Sequence, residues 1–240
     1  MAASGPNQTF RCARHSDQQS AVDKRSISMN ASDVLQEEVE KFKEWAAVYP
    51  PHQRTGEWEC GYDHWQSLWA AAIAVLEFLP PSAWTERCRT NLLYAIARDN
   101  EMECIAGELV SKPGALLALA RLAIDSSELD AKWQLAVQLG GLSAPTDKEE
   151  AEKLLLRLVD DEDEYVSRRS LLALGRLQSV HAEPLAEKAW LTGHEYQRIA
   201  ALWVLKDVAP SKLAQYVRLA EEDGRKFVVK NAQDALNASQ

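Results

Sequence analysis

The chain is short of the features that usually announce a chemistry. Its four cysteines, Cys12, Cys60, Cys88 and Cys104, form no Cys-x-x-Cys pair. No histidine cluster stands at zinc spacing, so neither a structural zinc site nor a disulfide framework is indicated. Reduced, mostly buried thiols are the simplest expectation. No stretch is long and apolar enough to span a bilayer. The longest, Leu68 to Leu79, is too short and contains Glu77. No basic segment followed by an apolar core opens the chain, so no secretory leader is expected. Gly-x-Ser-x-Gly, phosphate-loop, Gly-x-Gly-x-x-Gly and His-Glu-x-x-His patterns are all missing. The five histidines, at 15, 52, 64, 181 and 194, are scattered over turns and helix starts. They read as exposed polar residues. No nucleophile pairs with a base, so the expectation is a protein that is not an enzyme and holds no cofactor or metal.

Positive charge is also short. Lys and Arg number 27 against 36 Asp and Glu, a formal net charge of −9. Non-specific nucleic-acid binding needs cations to neutralise phosphates, so nucleic acid is a poor partner here. A basic protein partner suits the charge better. Residues 1–28 go the other way, with Arg11, Arg14, Lys24 and Arg25 against Asp17 and Asp23. Rich in Ser, Gln and Asn and nearly without apolar period, they are expected to be a disordered tail. Met29 follows at once and is a second candidate start of translation.

What the sequence does have is periodicity. From Asp33, apolar residues fall at 3- and 4-residue spacing: Val34, Leu35, Val39, Phe42, Trp45, Ala46. Pro50-Pro51 ends that helix. Gly56 to Asp63 is too turn-rich for a helix and reads as an ordered loop, with Trp58 and Tyr62 plugging the end of the stack. Helices are predicted near 64–79, 82–98 (with Ser82 as N-cap), 101–111, 113–124, 129–142, 147–159, 163–178, 181–191, 195–208, 211–222 and 225–237. Nothing alternates with period two, so no sheet is expected. Connections of two to six residues suit antiparallel neighbours.

One phrase repeats. Asp130-Ala-Lys-Trp-Gln-Leu-Ala-Val-Gln-Leu139-Gly140 is echoed by Tyr165-Val-Ser-Arg-Arg-Ser-Leu-Leu-Ala-Leu174-Gly175, and more loosely by Tyr196 to Leu205-Lys206. Repetition at roughly 31–35 residues indicates stacked helix pairs, each unable to bury its apolar face alone. Gly140 and Gly175 are expected where helices approach most closely, since only a small residue fits there. A role in ending the helix is the alternative.

These residues resemble HEAT-type repeats, whose second helices read Val-Arg-x-x-Ala and then Ala-Leu-Gly after an acidic turn. The acidic turn is Asp160-Asp161-Glu162-Asp163, and Val166 and Leu174-Gly175 match. Arg168 and Arg169 stand one and two places after the family's arginine position, which Ser167 occupies. Ala131, Lys132, Ala136 and Leu139-Gly140 match in the preceding unit. In the following one Gln197, Arg198 and Leu205 match only partly, and Lys206 replaces the glycine. The resemblance is good over 113–209 and thin elsewhere. It implies an all-α chain, a right-handed α-α superhelix (HEAT-like solenoid) of about five to six helix pairs, as one domain over 29–240. It also implies a cytoplasmic protein-binding scaffold using its concave face, monomeric on its own. Size and acidity add a narrower version, an immunity or inhibitor protein for a basic enzyme. HEAT-like enzymes, which remove alkylated DNA bases or act on bilins, are the competing implication.

The candidate partner-binding residues are Trp133, Gln134, Arg168, Arg169, Arg198 and Trp203, a row of cations and rings on successive second helices. The alternative is that each cation, Lys132 included, pairs with an acid of the next unit such as Asp130, Glu164 or Glu195. Two further sets are weighed. Arg98-Asp99-Asn100-Glu101 with Glu103 sits at a helix junction, where Asp99 or Asn100 is expected to cap the next helix. Glu221-Glu222-Asp223-Gly224-Arg225-Lys226 opposes the helix dipole on both sides of a turn, which marks either an interaction surface or a solvated turn.

Overall fold

A computed structural model of the chain describes residues 20–239, with side chains from Ala31 onward except that of Pro51. The described residues are all-α. Twelve helices run α1 Ser20–Ala47, α2 Trp65–Phe78, α3 Glu86–Arg98, α4 Cys104–Glu108, α5 Pro113–Ile124 and α6 Leu129–Leu139. They continue as α7 Pro145–Leu158, α8 Glu164–Arg176, α9 Ala182–Leu191, α10 Glu195–Val208, α11 Pro210–Asp223 and α12 Lys226–Asn237. Short 3-10 turns punctuate the loops, and no strand occurs among the described residues. No helix among them is long and apolar enough to cross a membrane. Residues 1–19 of the expected tail, with Arg11, Cys12, Arg14 and His15, lie outside the described residues. The rest of that segment, 20–28, belongs to α1.

The boundaries follow local chemistry. Pro113, Pro145 and Pro210 each open a helix at a position whose N–H would have no helical partner anyway. Asp163 caps α8, its carboxylate accepting from Val166 N at 3.0 Å. Ser82 is not the cap of α3. Pro81–Ala83 forms a 3-10 turn, and Thr85 is the residue whose hydroxyl accepts from Cys88 N at 3.2 Å. The prolines displaced the expected start by three residues. The loop after α1 is ordered: Trp58–Gly61 turns once and buries Glu59. Trp58 stacks on Trp45 and Tyr62 meets Phe42, so both aromatic residues cover α1 as expected.

One row of contacts organises the second half. α6 packs on α8, α8 on α10 and α10 on α12. The contacts keep their order along the row: Trp133 meets Tyr165 near the start of α6 and α8, and Gly140 meets Ala173 near their ends. Arg168 likewise meets Tyr196 nearer the start of α8 and α10, and Gly175 meets Val204 nearer their ends, so α6, α8 and α10 are parallel neighbours. α7, α9 and α11 are the alternating members, each packed against the row helix that precedes or follows it. α3 continues the row, touching α6 on one side and α1 on the other.

The two glycines stand at the closest approaches of this row. A Cβ on Gly140 would lie 3.0 Å from Ala173 Cα, and one on Gly175 would lie 3.1 Å from Val204 Cγ2. The contact is between one row helix and the next, and not between the two helices of a pair. Gly140 has φ −64° and needs no left-handed conformation, so close packing is what its missing side chain serves. Beneath this row runs a continuous core that includes Leu135, Leu139, Leu155, Leu174, Leu202 and Leu205.

Candidate functional site

The first turns of α6, α8 and α10 line up because the helices are parallel, and there the chain places rings and cations in alternation. Arg169 lies over the Trp133 ring at 5.3 Å and over the Tyr165 ring at 5.4 Å. Arg168 lies over Tyr165 at 4.7 Å and over Tyr196 at 5.1 Å. Trp133 meets Tyr165 edge-on, with centroids 5.2 Å apart. The order across the row is Trp133, Arg169, Tyr165, Arg168, Tyr196. Each guanidinium sits against the negative faces of two rings, a geometry that lysine would not reproduce.

Exposure rises along this ladder. Trp133 is buried, its Nε1 donating to Asp130 Oδ1 at 3.0 Å. Tyr165 is 38% exposed and Tyr196 54%. The two arginines differ in charge state of their surroundings. Arg168 Nε donates to Glu164 Oε1 at 2.9 Å, and His194 Nδ1 stands 3.7 Å from the same oxygen. Arg169 has no ion pair among the described residues, and its buried Nε has no hydrogen-bond partner. A cation held between rings and lacking a carboxylate can take a carboxylate, phosphate or carbonyl from outside.

The rest of the expected set is engaged internally. Gln134 is fully buried, its amide donating to Ile96 O at 2.7 Å, so it ties α6 to α3 and cannot meet a partner. Arg198 is bonded to the Asp223 carboxylate, donates to Trp190 O at 3.1 Å and covers the Trp190 ring at 5.0 Å. Its charge holds α10 against the α11–α12 turn. Trp203 is half-buried; its Nε1 donates to Asn231 Oδ1 at 2.9 Å and Lys206 lies over its ring. Lys132 is buried against Asp161 at 2.8 Å. Burial would raise the Asp161 pKa, but the Lys132 ammonium and the Asp163 N–H outweigh it and lower the value. Pairing to an acid thus accounts for Lys132, Arg168 and Arg198, but not for Arg169.

Two residues of this surface, Tyr165 and Tyr196, were not among the candidates. The signal was present: they occupy the same place in successive repeats. Glu59 was missed too. It is 4% exposed, and burial raises its pKa against the opposing influence of Arg98.

The other two sets resolve into structure. Asp99 is 2% exposed and accepts from Ile105 N and from Trp69 Nε1, both at 2.9 Å. It therefore serves the first turn of α4 from a distance, while the N-cap position itself is held by Glu103 and not by Asp99 or Asn100. Burial pushes the Asp99 pKa up to about 6, in spite of those donors. At the acidic–basic turn, Gly224 takes φ +73° and lets Arg225 fold back on Asp223 with two contacts of 2.6 Å. The Arg225 hydrogen bonds, helped by Arg198, hold the Asp223 carboxyl well below the usual range against the effect of burial. Among the described cysteines only Cys88 is buried; Cys104 is intermediate and Cys60 exposed, which corrects the expectation of mostly buried thiols. No group of His, Cys, Asp and Glu among the described residues is arranged to hold a metal ion.

No family model matches this chain, and neither a curated protein nor a solved structure does. The class that the described residues define is an all-α protein of packed helices, compatible with a helical-repeat solenoid, with an aromatic–arginine ladder along one row of helix starts.

Proposed function

We propose that this chain is a noncatalytic, protein-binding helical-repeat scaffold of the HEAT-like kind. In this reading the row α3, α6, α8, α10 and α12 is the inner, concave side of a right-handed superhelix. The ladder from Trp133 to Tyr196 is its contact surface. Arg198 and Gln134 serve the scaffold, while Tyr165, Arg168, Arg169 and Tyr196 meet the partner.

One observation carries the reading: Tyr165 and Tyr196 remain half-exposed although their faces are already organised by Arg168. Rigid tyrosines and arginines of this kind are enriched at interface hot spots. The net charge of −9 favours a basic partner and fast, salt-sensitive association. An immunity or inhibitor protein that sequesters a basic enzyme in the cytoplasm is the narrower form of the same proposal.

The test is capture from the native host with the tagged full chain and with Tyr165→Ala/Tyr196→Ala. A stoichiometric basic protein held by the first and lost from the second is the expected result. Equal retention by both chains overturns the assignment of the ladder. Release of bases from alkylated DNA by the purified chain alone overturns the noncatalytic reading.

A further inference from the structure

The exposed rings do not stop at Tyr196. Tyr165, Tyr196 and Phe227 follow one another at intervals of 31 residues. Each is the second residue of its helix, after the N-cap positions Asp163, His194 and Arg225. The residue after each ring, Val166, Gln197 or Val228, is buried, so the three helices enter the core in one register. The rings themselves stay out, at 38%, 54% and 57% exposure. α12 runs parallel to α10: Arg198 near the start of α10 reaches Asp223 just before α12, and Trp203 further on meets Asn231 in mid-α12. The row of helix starts thus carries a third exposed ring. Arg168 separates the first two, and Ile199 stands at its place in the next helix, so the row turns apolar toward α12.

The spacing suits one kind of backbone. The Arg168 guanidinium lies 4.7 Å from the Tyr165 ring and 5.1 Å from the Tyr196 ring, so these two rings stand no more than about 10 Å apart. Packed helix axes are roughly 8–10 Å apart, which sets the next interval alike. A polyproline II segment advances about 3.1 Å per residue and returns to the same side every third residue, at ~9 Å. A β-strand returns to the same side about every 7 Å, too soon. An α-helix matches with every seventh residue, but its carbonyls are bonded internally. That difference decides, because the Tyr165 and Tyr196 hydroxyls donate to no other described residue. A polyproline II backbone has no internal hydrogen bonds and offers its carbonyls to them. Charge adds a direction. Arg169 has no ion pair at the α6 end, and Glu195 has none beside Tyr196, since Arg198 and Arg225 are engaged by Asp223.

We infer that this row of helix starts binds a proline-rich segment of the protein partner in the polyproline II conformation. Every third residue, a proline, lies on Tyr165, Tyr196 or Phe227. An acid of the segment meets Arg169 at the α6 end, and a lysine or arginine meets Glu195 toward α12. Exposed aromatic rings suit proline, and a segment already extended before binding loses little entropy on docking. This rests on the protein-binding reading and adds the conformation of what is bound, together with Phe227 as a third contact.

The probes are capped peptides of about nine prolines, enough for three turns, with an aspartate at one end and a lysine at the other, in both orders. They are titrated into the isotope-labelled full chain and followed by amide chemical shifts. A glycine–serine peptide with the same ends is the flexible control, and an alanine-rich peptide with the same ends is the helical one. The expected result is saturable shifts at the starts of α8, α10 and α12 together, from at least one order of the proline peptide and from neither control. Phe227→Ala, at an exposed site, is expected to weaken binding about tenfold. Val180→Ser, off the row, should leave it unchanged. No saturable shift, equal shifts from either control, shifts that stop before α12, or parent-like binding by Phe227→Ala overturns the inference. Partner capture lost with Tyr165→Ala/Tyr196→Ala but kept with Phe227→Ala would then leave the functional proposal standing without this segment.

Discussion

Gly140 faces Ala173 across the α6–α8 contact so closely that a Cβ on the glycine would lie 3.0 Å from the alanine Cα and 3.3 Å from its carbonyl oxygen. The obstacle is backbone, which cannot rotate away. At Gly175 the nearest atoms are the Val204 methyl groups, at 3.1 and 3.3 Å. These belong to a side chain that can give by a few tenths of an ångström. Gly140→Ala is therefore expected to cost about 1–3 kcal/mol, as an overpacked helix contact. Gly175→Ala should fall within about 1 kcal/mol of the parent, because relief of glycine's helix penalty offsets mild crowding. Urea unfolding of the two variants checks the order.

Asp99 gives the fold an acid-side dependence. Its pKa is about 6 in the folded chain, raised by burial. An unfolded aspartate titrates near 3.9. Between those values the folded state holds the proton that the unfolded state has lost, so stability falls as pH rises from about 4 to about 6 and is flat above. The magnitude is on the order of 2–3 kcal/mol. Asp99→Asn removes this slope. It keeps an acceptor for only one of Ile105 N and Trp69 Nε1, which bond different oxygens of the carboxylate, so a loss of stability that does not vary with pH accompanies the flat profile. Unfolding curves for both chains at pH 4, 5, 6 and 7 measure the difference.

Asp223 acts in the opposite sense. Its carboxyl is held low by Arg225 and Arg198. The stabilisation is complete above the unfolded value and is lost as pH falls below about 4. Asp223→Asn is expected to lower Tm at pH 7 by several degrees and to flatten the loss of stability in acid. Arg198→Ala should behave alike at pH 7, because it removes the same bond between α10 and the α11–α12 turn.

The repeat was readable because leucine–glycine pairs answer to a packing demand that recurs with each unit. Leu139 and Leu174 are fully buried and the glycines beside them meet the next helix of the row. What escaped reading depends on contacts between distant positions. Arg198 looks free until Asp223 arrives 25 residues later. Gln134 looks like a surface amide until α3 is laid against α6 and Ile96 O faces it. The α3 start was misplaced because two prolines and a serine resemble a helix entry, whereas the chain makes a 3-10 turn first and enters at Thr85. Tyr165 and Tyr196 were in view as repeat positions, but only parallel packing shows that Arg168 lies between them.

Removing the exposed rings should leave the fold standing. Tyr165→Ala/Tyr196→Ala is expected to change stability by about 1–2 kcal/mol at most, the two rings together giving up cation–π contacts at half-exposed sites. A cooperative thermal transition with unchanged far-ultraviolet circular dichroism is the check.

The ladder as a partner surface is tested most directly inside the native host by placing a photo-crosslinking phenylalanine at position 196 and, separately, at position 180. Tyr196 is 54% exposed at the start of α10, and Val180 is 83% exposed beyond the far end of α8. Irradiation is expected to join position 196 to one discrete basic protein and position 180 to none. The same products from both positions, or none from position 196, would contradict the ladder's assignment as the binding surface.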